Sequence, residues 1–189
     1  MLTSKRLLIK DKKGLTGKRI AFKSVPYNSI RAFSVETAGT MDTDQELKIY
    51  ARGIGKVAID FVNNVDVIAI HRFLSSVVIR GKGAGADTYG GGAVVHDSNV
   101  NMAGNTGFLD LLGSNFSQVD VKEVETRLKS NPNLLLEDES VELAFQCGRD
   151  SFIFTSKRVL RIDVQGITGK SIEYLTILWP AIKGFSSKL

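Results

Sequence analysis

TSKRLLIKDKKGLTGKRIAFKSVPYNSIRAFS, residues 3–34, and TSKRVLRIDVQGITGKSIEYLTILWPAIKGFS, residues 155–186, align without a gap at an offset of 152, and 14 of the 32 positions are identical. Thr3-Ser4-Lys5-Arg6 returns as Thr155-Ser156-Lys157-Arg158. Gly14, Thr16, Gly17, Lys18 and Ile20 return as Gly166, Thr168, Gly169, Lys170 and Ile172. Ile30, Phe33 and Ser34 return as Ile182, Phe185 and Ser186. A unit present twice points to tandem modules rather than a solenoid, whose stacked units need more copies.

Inside each copy the residue types are those of short antiparallel strands. The β-rich runs 151–155 and 159–164 flank the polar break Ser156-Lys157-Arg158, which predicts a hairpin. The segment 166–170 predicts a second turn, 171–177 a third strand ended by Trp179-Pro180, and 182–186 a further strand. The first copy predicts strands over 7–10, 19–25 and 30–36, with a turn at Pro26-Tyr27-Asn28. It continues into strands over 46–51 and 56–62 about the turn Arg52-Gly53-Ile54-Gly55. Asn63-Asn64 suits a cap, and Val67, Ile70, Phe73 or Leu74, and Val77 or Val78 recur at helical spacing over 65–79.

Ahead of the second copy, 108–116 predicts a short apolar helix. The stretch 117–129 predicts a second one, striped by Val121, Val124 and Leu128 and stopped before Pro132, and 141–146 a strand turned at Gly148-Arg149-Asp150. Between the copies, 80–107 holds eight glycines in 28 residues without a sustained period and predicts a flexible linker. The fold class is therefore mainly β, a β-rich α+β chain.

Strands of this number closed by one C-terminal helix form the pleckstrin-homology (PH) architecture, a bent antiparallel sheet of up to seven strands making a barrel. The sequence resembles the small bacterial PH-like domain family of unknown function. The residues that carry the likeness are Phe154-Thr155-Ser156-Lys157-Arg158, the run from Asp163 to Lys170, and Glu173-Tyr174 in the second copy. In the first they are the run from Ile30 to Gly39, Asp42, and Glu46-Leu47-Lys48-Ile49. Set against the family, 1–79 supplies strands three to seven and the closing helix, with residues 1–4 the tail of strand two. The segment 80–107 is linker, and 108–189 supplies leading helices and strands one to five. Neither copy is whole, and half a barrel exposes strand edges and an unfilled core. Either the chain is a window on a longer tandem protein, the reading favoured here, or the two partial copies complete each other within or between chains. The expected behaviour is association.

Composition narrows the function. The chain has 189 residues, 43% apolar, with one cysteine, and two histidines 25 positions apart. No disulfide can form within the chain, no leader precedes the first strand, and the apolar runs are too short to span a bilayer, so a soluble, cytoplasmic protein is expected. Residues 1–35 carry nine Lys or Arg against Asp11 alone. This basic concentration suits either the solvated face of edge strands or a phosphate-bearing partner. Gly169-Lys170-Ser171 mimics the end of a phosphate-binding loop. However, Val164 stands where the first glycine belongs, and the setting is a hairpin rather than a strand-to-helix junction. His71 falls in the helix and His96 in the linker, Cys147 reads as a small core or edge residue, and Glu137-Asp138-Glu139 reads as a solvated turn. No catalytic residue, metal site or cofactor is expected.

A binding or scaffold module remains. Eukaryotic PH domains often hold inositol phospholipids through cations on the loop between strands one and two. Here that loop is Gly148-Arg149-Asp150, with one cation, so that site does not carry over. Lys5, Arg6, Lys18, Arg19, Lys157, Arg158 and Lys170, at the hairpin tips, are the candidate anion contacts. Bacterial members resemble self-assembling units, which implies a homo-oligomer, a ring in the usual case. Self-association is thus the first expectation and anionic lipid the second. Nucleic acid is disfavoured, since Phe22, Tyr27 and Phe33 suit strand cores and a turn better than a stacking platform.

Overall fold

Each Thr-Ser-Lys-Arg segment closes a tight turn because the threonine hydroxyl accepts from the amides that the turn leaves unpaired. The computed structural model describes residues 1–13, 19–39, 44–61, 65–80, 116–165 and 171–184. In it, Thr3 Oγ1 accepts from the Arg6 amide at 3.1 Å, and Thr155 Oγ1 from those of Lys157 and Arg158 at 3.1 and 3.0 Å. The strands are β1 (Arg6–Lys13), β2 (Arg19–Pro26), β3 (Ile30–Glu36), β4 (Gln45–Ala51), β5 (Gly55–Phe61), β6 (Ser117–Gln118), β7 (Val141–Cys147), β8 (Asp150–Thr155), β9 (Arg158–Gln165) and β10 (Ser171–Leu178). Helix α1 (Val67–Arg80) follows β5, and α2 (Val121–Ser130) follows β6.

The duplication visible in the sequence is a duplication of backbone. β1 pairs with β2 in the register Arg6 to Pro26 and Leu8 to Ser24, and β9 with β10 in the register Arg158 to Leu178 and Leu160 to Thr176, the same register 152 positions on. Each hairpin leads into a single 3-10 turn, Tyr27–Ser29 or Trp179–Ala181. The ring at its start reaches back to the threonine: Tyr27 Oη donates to Thr3 O at 2.7 Å, and Trp179 Nε1 to Thr155 O at 2.9 Å.

The two hairpins nonetheless occupy different places. One antiparallel sheet of eight strands runs β5-β4-β3-β10-β9-β8-β7-β6, while β1 and β2 form a two-stranded sheet by themselves. The join between chain halves is β10 against β3, with Glu173 opposite Glu36 and Thr176 opposite Phe33. Below it lies one core to which both halves contribute: Ile30, Phe33, Leu47 and Leu74 from the first, Leu128, Leu134, Ile153 and Leu160 from the second. Each such fully buried side chain contributes about 1.5–3 kcal/mol to folding. Helix α1 turns Val67, His71, Leu74, Ser75 and Val78 inward. Asp66 starts it, with Oδ1 accepting from the Ala69 amide at 2.8 Å.

Several sequence expectations need correction. The two partial copies, expected to expose strand edges and an unfilled core, are joined in one sheet by β3 against β10 over a core to which both contribute. The sheet does not close into a barrel: β5 and β6 end it, with no ladder between them among the described residues. Ser117 and Gln118 form an edge strand on β7 rather than the start of a helix, because Asp120 caps α2 by accepting from the Glu123 amide. Residues 182–184 are not strand, since β3 holds the place beside β10 that they would take, and Ile182 is exposed. The expected helix over 108–116 lies outside the described residues but for Phe116, as do the cap Asn63-Asn64 and the linker beyond Arg80.

Candidate functional site

A duplicated motif placed in two environments puts its arginine to two uses. Arg158, at the start of β9, is fully buried, and all five of its N–H groups have acceptors. Nε and Nη2 donate to the two carboxylate oxygens of Glu139 at 2.8 and 3.0 Å. Nη1 donates to Ser75 Oγ at 2.6 Å and Thr176 Oγ1 at 3.2 Å, and Nη2 also to Leu134 O at 2.6 Å. Glu139 further accepts from the Thr155 hydroxyl at 2.7 Å and the Leu136 amide at 3.0 Å. The cluster ties α1, from the first half, to β8, β9 and β10 of the second. Breaking such a buried pair by removing one partner costs about 3–5 kcal/mol, because the other charge is left uncompensated.

His71 extends the network from α1, with Nε2 3.0 Å from Thr176 Oγ1 and its ring 5.2 Å from that of Phe33. Burial, reinforced by the nearby Arg158 guanidinium, holds its pKa well below the usual histidine value, so the imidazole is neutral. Nδ1 has no hydrogen-bond partner among the described residues.

On the outer face of the join, Lys48 Nζ lies 2.9 Å from Glu46, 3.3 Å from Glu36 and 3.4 Å from Glu173. Burial disfavours the ammonium, but Glu46, Glu173 and Glu36 more than offset it, and its pKa is raised. Ser34 Oγ donates to Glu173 at 2.8 Å, so the polar cluster also spans β3 and β10.

The candidate anion contacts do not form one site. Lys5 and Arg6 are exposed at the start of β1, with Arg6 Nη1 3.5 Å from Ser24 Oγ. Lys5 borders a cavity of about 400 Å³ together with Ser4, Tyr27, Asn28 and Val78. Lys157 is committed to Asp138 at 2.7 Å, and this pairing holds the Asp138 carboxyl below its usual pKa. Arg158 is core and meets no surface anion. Lys18, Lys170 and the side chain of Arg19 lie outside the described residues.

Two further readings change. Glu139, expected in a solvated turn, is buried as the partner of Arg158. Phe22, expected in a strand core, is 73% exposed and stands on the same face of β2 as Ile20, 49% exposed. Its counterpart in the second copy, Tyr174, is 7% exposed. The sequence carries a signal for the Arg158 site in the acidic run Glu137-Asp138-Glu139, 19 to 21 positions upstream.

Among the described residues no group of three or more His, Cys, Asp or Glu could hold a metal ion, and no helix is long and apolar enough to cross a membrane. A 79-residue stretch is 44% identical to the uncharacterized protein YjqA of Bacillus subtilis strain 168; it is 41% of this chain and 63% of that protein. A DUF1696 family protein with a PH domain from Shewanella loihica PV-4 is 35% identical over 39% of this chain and 61% of its own, with a TM-score of 0.36. A PH domain from Shewanella amazonensis SB2B is 39% identical over 40% and 61%, with a TM-score of 0.35. The chain thus spans less than two thirds of the length of each of these relatives. The model of the bacterial PH domain family matches twice, over residues 1–78 and 107–188. With most of its length in those two matches, and with two hairpins of one register, the chain belongs to the bacterial PH domain family.

Proposed function

We propose that this chain is a non-enzymatic interaction module of the cytoplasm that associates with further copies of itself through exposed sheet surfaces. Membership of a family of binding domains supports the general reading. The observation that carries the specific one is the free face of the β1–β2 hairpin. Ile20 and Phe22 stand in solvent at positions whose counterparts in the second copy, Ile172 and Tyr174, are half-buried and buried. A large exposed aromatic beside a second apolar residue on a two-stranded sheet is a surface that gains by being covered. The outer edge of β5 offers a further unpaired row of backbone groups among the described residues. Light scattering of the purified chain over a range of concentrations tests this. A mass above that of one chain, lost in Phe22→Ser, is the expected result; a monomer at every concentration overturns it.

A second reading has one observation of its own, the exposed Lys5 beside the cavity it shares with Ser4, Tyr27 and Asn28. Such a cation suits the headgroup of an anionic phospholipid. Sedimentation with phosphatidylserine vesicles separates the readings: binding that falls steeply with salt supports lipid, whereas salt-insensitive oligomers without vesicle affinity support self-association.

A further inference from the structure

The chain carries two hairpins of one pattern, and its sheet holds one of them. β9–β10 lies between β8 and β3, while β1–β2 lies outside that sheet, burying Leu7 and Val25 on one face and leaving Ile20 and Phe22 in solvent on the other. We propose that the two hairpins compete for that single position, so that the chain has a second arrangement in which β1–β2 lies between β8 and β3 and β9–β10 is expelled.

The registers carry this. Moved back by 152 positions, the pairing of β10 with β3 puts Ser24 opposite Phe33 and Val25 opposite Ala32. β2 and β3 are joined only by residues 27–29, so these pairs describe an ordinary short hairpin. Closing that small loop stands in for the tight β8–β9 turn that the second arrangement gives up, and β1 must reach β8 across about as much chain as β10 now crosses to reach β3, so loop-closure entropy is nearly balanced between the two. On the other side, the pairing of β8 with β9 becomes Phe154 opposite Leu7, Ile153 opposite Leu8 and Ser151 opposite Lys10. Leu2 already bridges Leu7 as Phe154 pairs with Val159.

Most of the side chains fit as well, the exceptions being Lys10 in place of Ile162 and Pro26 in place of the buried Leu178. Leu8 would replace Leu160, Phe22 Tyr174, Ser24 Thr176 and Tyr27 Trp179, each keeping the character of the residue it displaces. Arg6 would replace Arg158, and the contact between its Nη1 and Ser24 Oγ already reproduces that between Arg158 Nη1 and Thr176 Oγ1. Glu139, Ser75 and the Leu134 carbonyl would then receive Arg6. The inference rests on sheet geometry and holds whether or not the free hairpin recruits a second copy.

Two measurements on the full chain test it. In a Cys147→Ser background, Lys10→Cys with Ser151→Cys places two thiols directly opposite each other only when β1 pairs with β8, at a separation that a disulfide spans. Under mild oxidation the expected product is a monomer with an internal disulfide; thiols that stay reduced, or a disulfide joining two chains only, overturn the proposal. The second is a double-mutant cycle in urea. Arg6→Met alone should leave the unfolding midpoint unchanged, but should lower it in the Arg158→Met background, where Arg6 is the remaining cation for Glu139. Additive effects overturn the proposal independently of the thiol experiment.

Discussion

Arg6 and Arg158 sit at the same place in the same motif. Arg6 rests in solvent with one long contact to Ser24, and Arg158 is sealed in the core with five satisfied donors. The difference lies in what surrounds them: Glu139 and Ser75 of α1 hold Arg158 and not Arg6. His71 is the other residue of that cluster with a measurable consequence. Its pKa is depressed in the folded state, so between that value and about 6.5 the unfolded chain binds a proton that the native chain refuses. The stability it contributes is full above about pH 6.5 and is lost as the pH falls, by up to about 1.4 kcal/mol per unit. Urea titrations at several pH values should show that slope between neutrality and the carboxylate range, and His71→Met should flatten it. An unchanged slope would mean that His71 is not held neutral.

At the scale of single elements most of the structure was legible. The runs predicted over 141–146, 151–155 and 171–177 are β7, β8 and β10 to within a residue or so, because alternation and turn residues act locally. Glu139 was misread because an acidic residue flanked by two others is normally solvated; only the buried arginine 19 positions on makes it core. The start of α2 was misplaced by a few residues because Ser117 and Gln118 have no intrinsic bar to helix. Asp120 decides the boundary through its side chain, and Asp120→Ala should cost about 1 kcal/mol in urea unfolding by leaving the Glu123 amide without its partner. A loss near zero would show that tertiary packing alone sets that boundary. Phe22 was misread for another reason: its local pattern is that of a core strand, and only the existence of a second, better-placed hairpin leaves it exposed.

For the molecule as a whole, the repeat announced two copies of a PH-type unit but not how they share a sheet. Whether Thr176 faces Phe33 or Phe185 cannot be read from local pattern, since the two phenylalanines occupy equivalent positions in copies that are nearly alike. What distinguishes the pairing is non-local: Ser34 with Glu173, the Lys48 cluster, and the reach of Ser75 to Arg158. One sheet and one core drawn from both halves should behave as one cooperative body. The direct test is to place a protease site between Arg80 and Phe116, cut there, and run the product on gel filtration in native buffer. Both arrangements of the hairpins keep β3, β4, β5 and α1 joined to β7 and β8, so the two pieces should elute together, unfold in a single transition and part only in denaturant. Pieces that separate in native buffer, each folded by itself, would contradict the shared sheet.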